Sequence, residues 1–124
     1  MRRLAMVIAM SAVAACSGAT RSSGQNRNVI TVADIEAINV SNAMDVIQRL
    51  HPEFLRGRGR NSIASGDAQF PVVYVDGVRA GELEVLRSIP AHDVREIRFV
   101  SAADATTRYG TGHTGGVIEV RIRG

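Results

Sequence analysis

The chain has 124 residues, 15 of them basic and 12 acidic, with a formal charge of +3 and one cysteine. That length holds one small domain, and a single thiol excludes both an internal disulfide framework and a Cys-rich metal site. Every basic residue is arginine, and two of them, Arg2 and Arg3, lie in a removable leader, so the rest of the chain is close to neutral and gives little electrostatic reason to expect a nucleic-acid partner.

Arg2 and Arg3 open the chain, Leu4 to Met10 is unbroken apolar sequence, and small residues follow to Ala15. This is the layout of a secretory signal peptide, expected over residues 1–15. The apolar run is too short to span a bilayer, which takes about 20 residues. Val13-Ala14-Ala15-Cys16 resembles a bacterial lipobox, in which the leader is cut before a cysteine that is then acylated. That resemblance makes Cys16 the lipidation site, and Ser17 in place of Asp points to the outer membrane. Cutting there leaves 109 residues. Residues 16–28 are the lipidated cysteine and a polar Gly/Ser tether, and residues 29–124 are the domain.

Val29-Ile30 predicts a short strand. Thr31 with Asp34, and Asn42 with Asp45, are helix-start signals. Ile35 and Ile38, then Ala43, Ile47 and Leu50, fall on inward helical faces. Pro52 closes the second helix by restricting His51. Arg56-Gly57-Arg58-Gly59-Arg60 opens a loop over residues 56–68, in which Arg56, Arg58 and Arg60 are candidate binding residues. One Arg/Gly copy without interleaved aromatics is weak support for nucleic-acid binding.

Val72-Val73-Tyr74-Val75 predicts a strand covered on both faces. Asp76-Gly77 is a hairpin turn and Val78 starts the return. Leu83 and Leu86 suggest a short helix ending before Ile89-Pro90. From Val94 to Val100 the residues alternate, with Ile97 and Phe99 on one side and Glu96 and Arg98 on the other. Ser101 with Asp104 caps a helix that runs through residue 108. A final strand over 117–123 has Ile118, Val120 and Ile122 inward, and Glu119, Arg121 and Arg123 outward.

Between that helix and that strand, Gly110-Thr111-Gly112-His113-Thr114-Gly115 spells G-x-G-x-x-G. A dinucleotide loop must follow a strand and open a helix, whose N-terminal amides hold the pyrophosphate. Here the glycines follow a helix and open a strand, and the nearest helix end is the C-terminus, which repels phosphate. Gly110, Gly112, Gly115 and Gly116 are therefore expected to be conformational, as are Asp76 and Gly77 in the hairpin. His113 and Thr114 are expected at the loop surface as further binding candidates.

Val75-Asp76-Gly77-Val78, then Ile89-Pro90 before the 94–100 strand, then Tyr109-Gly110, then Gly115-Gly116-Val117-Ile118-Glu119-Val120 resemble, in this order, the plug domain of TonB-dependent outer-membrane receptors. The resemblance covers roughly residues 29–124. It implies an α+β fold, a small mixed β-sheet with short helices. In receptors a 22-stranded barrel follows the plug. Here Gly124 stands where the barrel would begin and no TonB-box segment is recognisable, so transport is not expected to carry over. The expected function is a non-enzymatic, lipid-anchored binding module at the periplasmic face of the outer membrane. Its partner would be an outer-membrane or periplasmic protein, such as a β-barrel, or a small ligand. The competing class is a small periplasmic hydrolase with a site assembled from scattered residues. His51, His92 and His113 show no metal-ligand or nucleophile spacing, so no catalytic residue, metal or cofactor is assigned.

Overall fold

The computed structural model describes residues 27–57 and 69–124. The signal peptide, Cys16, the tether as far as residue 26, Arg58, Arg60 and the loop to residue 68 lie outside the described residues. β1 (Val29–Thr31) leads into α1 (Val32–Glu36) and α2 (Ala43–Leu50). β2 (Val72–Val75) and β3 (Val78–Gly81) form a hairpin, followed by β4 (Val94–Val100), α3 (Ala102–Tyr109) and β5 (Val117–Ile122). Short 3₁₀ turns occupy Pro52–Leu55, Leu83–Ser88 and Ala91–Asp93.

All five strands join one sheet in the order β1-β4-β5-β2-β3. β2 runs parallel to β5 and the other neighbours are antiparallel, so the sheet is mixed, as expected. The hairpin turns through Asp76 (φ 49°) and Gly77 (φ 83°). Two positive φ values give the turn the twist that suits a two-residue β-hairpin, which is why Asp-Gly is found there. Asp76 also ties the turn to β5, because its Oδ1 accepts the Ile122 N–H at 3.1 Å.

The two faces of the sheet are covered unequally. One carries Ile30, Val73, Ile97, Phe99, Ile118 and Val120, packed against α1, α2 and the 3₁₀ turns through Ile35, Ile47, Phe54 and Leu86. The Phe54 ring stacks on Phe99 at 5.3 Å between centroids. The other face holds a smaller cluster of Tyr74, Val100 and Val117 beneath Ala105 of α3. Val73 and Tyr74 are therefore both buried, on opposite faces, as a doubly covered strand requires. Beyond α3 this second face turns polar: Arg98 is cross-strand neighbour to Glu119, and Glu96 to Arg121.

The expected helix starts are present. The Thr31 hydroxyl accepts the Asp34 N–H while the Asp34 carboxylate takes the Thr31 N–H at 2.9 Å. Asn42 Oδ1 accepts the Asp45 N–H at 3.0 Å, and Ser101 Oγ accepts the Asp104 N–H at 3.3 Å. α1 is shorter than the pattern suggests: it ends at Glu36, and Ile38 reaches the core from the following turn. Pro52 closes α2 and also starts a 3₁₀ turn, because its fixed φ suits a first helical position.

Candidate functional site

The glycine-rich link between α3 and β5 is where the sequence raises its sharpest functional question. Gly110 (φ 88°) caps α3, and its N–H reaches the Thr106 carbonyl at 3.0 Å. Gly112 (φ 96°) and Gly116 (φ 87°) also need the left-handed half of backbone space. Gly115 does not; it is required by closeness, since a Cβ there would run into the Phe70 carbonyl. A Cβ on Gly116 would lie 2.7 Å from the Val100 carbonyl oxygen and 2.8 Å from Phe99 Cζ. The glycines thus let the chain leave a helix and dive beneath it into the middle of the sheet. Their amides do not line a helix N-terminus, and the dinucleotide pattern is coincidental.

His113 departs from expectation. It is 7% exposed, so it is not a surface contact residue. Its Nδ1 lies 3.0 Å from the Gly110 carbonyl, which can only accept, so Nδ1 carries the proton. Nε2 is then left to accept from the Tyr74 hydroxyl at 3.0 Å. The Tyr74 and Tyr109 rings lie 4.1 Å apart, and His113 completes the group at about 6 Å from each. His113 is in effect a side-chain clamp holding the glycine loop to β2. The sequence hides this because a histidine among glycines reads as exposed loop. The signal that could have exposed it is Tyr74, a hydroxyl in an apolar run that needs a buried partner.

The polar half of the sheet adjoins this clamp. The Tyr109 hydroxyl donates to Glu119, which also receives Arg108 Nη1 at 3.3 Å. The Glu119 side chain is 12% exposed, so this carboxylate is held, not solvated. Burial first, and then Glu119, push the Tyr109 phenol up to about 12. Tyr109 stays protonated at neutral pH and is a donor, not a nucleophile. Arg98 reaches Glu96 through Nη2 at 3.1 Å, while its Nε is buried with no hydrogen-bond partner among the described residues. Sequence reasoning missed Arg98, Glu119 and Tyr74. The alternation along β5 places Glu119 on the same face as Val117, and that was the available hint that part of this face is covered.

The remaining candidates are dispersed. Arg56 is exposed just after the 3₁₀ turn whose Phe54 packs on the helical side of the sheet. Thr114 is exposed in the glycine loop, next to the clamp on the opposite side. These contacts do not bring Arg56 and Thr114 together into one site. The three histidines also stand apart: His51 Nδ1 pairs with Glu53 at 2.7 Å, His92 with Asp93 at 3.2 Å on the surface, and His113 is buried. Among the described residues no group of three His, Cys, Asp or Glu side chains is placed to hold a metal ion. No helix among them is long and apolar enough to cross a membrane. Phe70 (56% exposed) and Val78 (69%) stand out as exposed large apolar residues, and Phe70 borders a groove of about 430 Å³ with Val72, Arg79 and Leu83.

Comparisons with known proteins agree with this geometry. The family model described as TonB-dependent Receptor Plug Domain matches residues 19–117, starting upstream of β1 and ending on the first residue of β5. A search of curated proteins and a search of solved structures each gave no match. With four-fifths of its length matched, and with the mixed sheet and short helices that the resemblance implies, the chain belongs to the TonB-dependent receptor plug domain family.

Proposed function

We propose that this chain is a lipid-anchored, non-enzymatic plug-type binding module at the periplasmic face of the outer membrane. It docks on an outer-membrane or periplasmic protein, such as a β-barrel, or on a small ligand, and does not itself carry out transport. The observation that carries the reading is family membership, because plug domains are components of outer-membrane receptors. The leader over residues 1–15 with Cys16 just after it supports the address, and the exposed Arg56 and Thr114 support loop-mediated contact. Anchoring at Cys16 would hold the domain near the membrane, where a raised effective concentration lets a modest affinity suffice.

The test is crosslinking in the native cell, using the wild type, Cys16→Ser, and a triple alanine variant at Arg56, Arg58 and Arg60. The wild type should fractionate with the outer membrane and trap an envelope protein. Cys16→Ser should lose the membrane association, and the triple variant should lose the crosslink while its thermal melting stays that of the wild type. A wild type recovered wholly soluble with a free thiol overturns the anchor. Turnover of a defined substrate by the purified protein, with no envelope protein trapped, overturns the binding role.

A further inference from the structure

β3 is an outer strand of the sheet, and among the described residues no strand lies beyond it. Its backbone is paired on one side. The N–H groups of Val72 and Asp76 go to the Gly116 and Val120 carbonyls beside β5, so Val73 and Val75 between them turn to β3. Val75 is the cross-strand partner of Val78 over the two-residue turn. Alternation along an antiparallel ladder then points the N–H and C=O of Arg79 away from β2, to the open edge. The pairing skips Ala80, between Arg79 opposite Tyr74 and Gly81 opposite Val73. A bulge and a charged side chain keep an edge strand from pairing indiscriminately. Here they leave a short stretch open around Arg79. The two exposed large apolar residues flank it. Val78 (69% exposed) shares the helical face with Val75, and Phe70 (56%) borders the groove of about 430 Å³ on the other face, with Pro71, Val72 and Leu83. The charges on this groove balance. Arg79 and Glu82 have no ion-pair partner among the described residues, and Glu84 is held by Arg87 at 2.9 Å.

We propose that this edge takes an extended segment of a partner protein, laid antiparallel on β3, in which a basic, an apolar and an acidic side chain follow one another along one face. Backbone bonds to Arg79 add the segment to the sheet as a further strand, and the side chains select it. The acidic residue stands opposite Arg79. Two residues earlier, an apolar side chain fills the groove between Phe70 and Leu83, and two before that a basic one reaches Glu82. The residue after the acid stands opposite Val78 and covers it when it is apolar. Opposite charges placed directly across a sheet stabilise it, and like charges do the reverse. A second copy of the chain is therefore the poorer occupant: antiparallel pairing centred on Arg79 sets that arginine against itself, and Ala80 and Gly81 bring nothing to fill the groove. The inference rests on the reading of the chain as a binding module and names the kind of segment it binds. It does not depend on the lipid anchor.

The test titrates the full chain, held in zwitterionic detergent, with the peptide acetyl-Lys-Thr-Leu-Thr-Glu-Val-Thr-amide and follows the Arg79 amide by NMR. Binding should saturate and should slow hydrogen exchange at Arg79. N-methylation of the peptide's glutamate removes the N–H that the Arg79 carbonyl would accept, and should abolish binding. Arg79→Glu, on an exposed edge, should melt as the wild type does and bind the peptide about fivefold more weakly, and a peptide with lysine in place of the glutamate should reverse that preference. Binding that ignores the N-methyl group or the charge swap overturns the proposal, as does the absence of binding by either peptide. An Arg79 amide protected before any peptide is added means that the chain itself fills the edge, or a second copy does if protection rises with protein concentration, and both overturn it. The crosslinking experiment separates this from the broader reading. An envelope crosslink that persists in Arg79→Glu, with no peptide bound, removes this surface and leaves the binding role; a wild type that traps no envelope protein removes the binding role itself.

Discussion

Single residues in the glycine loop separate two causes that a sequence cannot tell apart. Gly110 and Gly116 both have positive φ, but a methyl on Gly110 meets nothing within 4 Å, whereas one on Gly116 meets Val100 and Phe99. Gly110→Ala should cost about 1 kcal/mol, from the backbone alone. Gly116→Ala carries that cost plus a clash in the sheet, and should lie clearly beyond about 2 kcal/mol. Denaturant midpoints for the two variants check the order, and equal losses would falsify the assignment. Tyr109 supplies a second residue-scale prediction. Its folded pKa of about 12 lies above the ordinary phenol value of 10.0, so the folded state keeps a proton that the unfolded state gives up. Its contribution to stability is complete below pH 10, declines as pH rises between those two values, and does not change at neutral pH. Phenolate absorbance should show a titration near pH 12 in the wild type that Tyr109→Phe lacks.

At the level of elements, much was legible because the signals were local. Thr31, Asn42 and Ser101 each stand three residues before an aspartate, and each caps a helix, since the bond involved spans only those residues. Asn42→Ala should cost about 1 kcal/mol, as for other N-caps, and thermal melting should register it because α2 buries Ala43, Met44, Val46 and Ile47. The Asp76-Gly77 turn and the alternation along β4 and β5 were readable for the same reason. What the sequence did not disclose was contact between distant segments. Tyr74 and His113 are 39 residues apart, and Arg108 meets Glu119 across the turn into β5. Neither pair has a spacing rule. The segment over Leu83–Ser88 also folds as a tighter 3₁₀ turn than the expected helix, a choice made by packing Leu86 against α2 and not by propensity.

On the scale of the whole molecule, family resemblance and physics converge on one sheet with a large core on one face and a half-covered, charged second face. The strand order has a consequence for how the domain comes into being. Among the described residues β1 pairs only with β4, and β3 only with β2, so β5 is what joins these two ribbons. A two-stranded ribbon by itself is marginal in water. Until residues 117–122 arrive, the preceding chain is therefore two weak ribbons with no common sheet. Residues emerging in order during synthesis would stay open to their surroundings until almost the whole domain had emerged, and would then order together. Native-state hydrogen exchange reads this directly. Amides at Ile30 and Val73, on opposite sides of β5, should open with the same free energy, and that value should equal the stability measured by denaturant. If either ribbon exchanged independently of the other, β5 would not be the strand on which the domain's cooperativity depends.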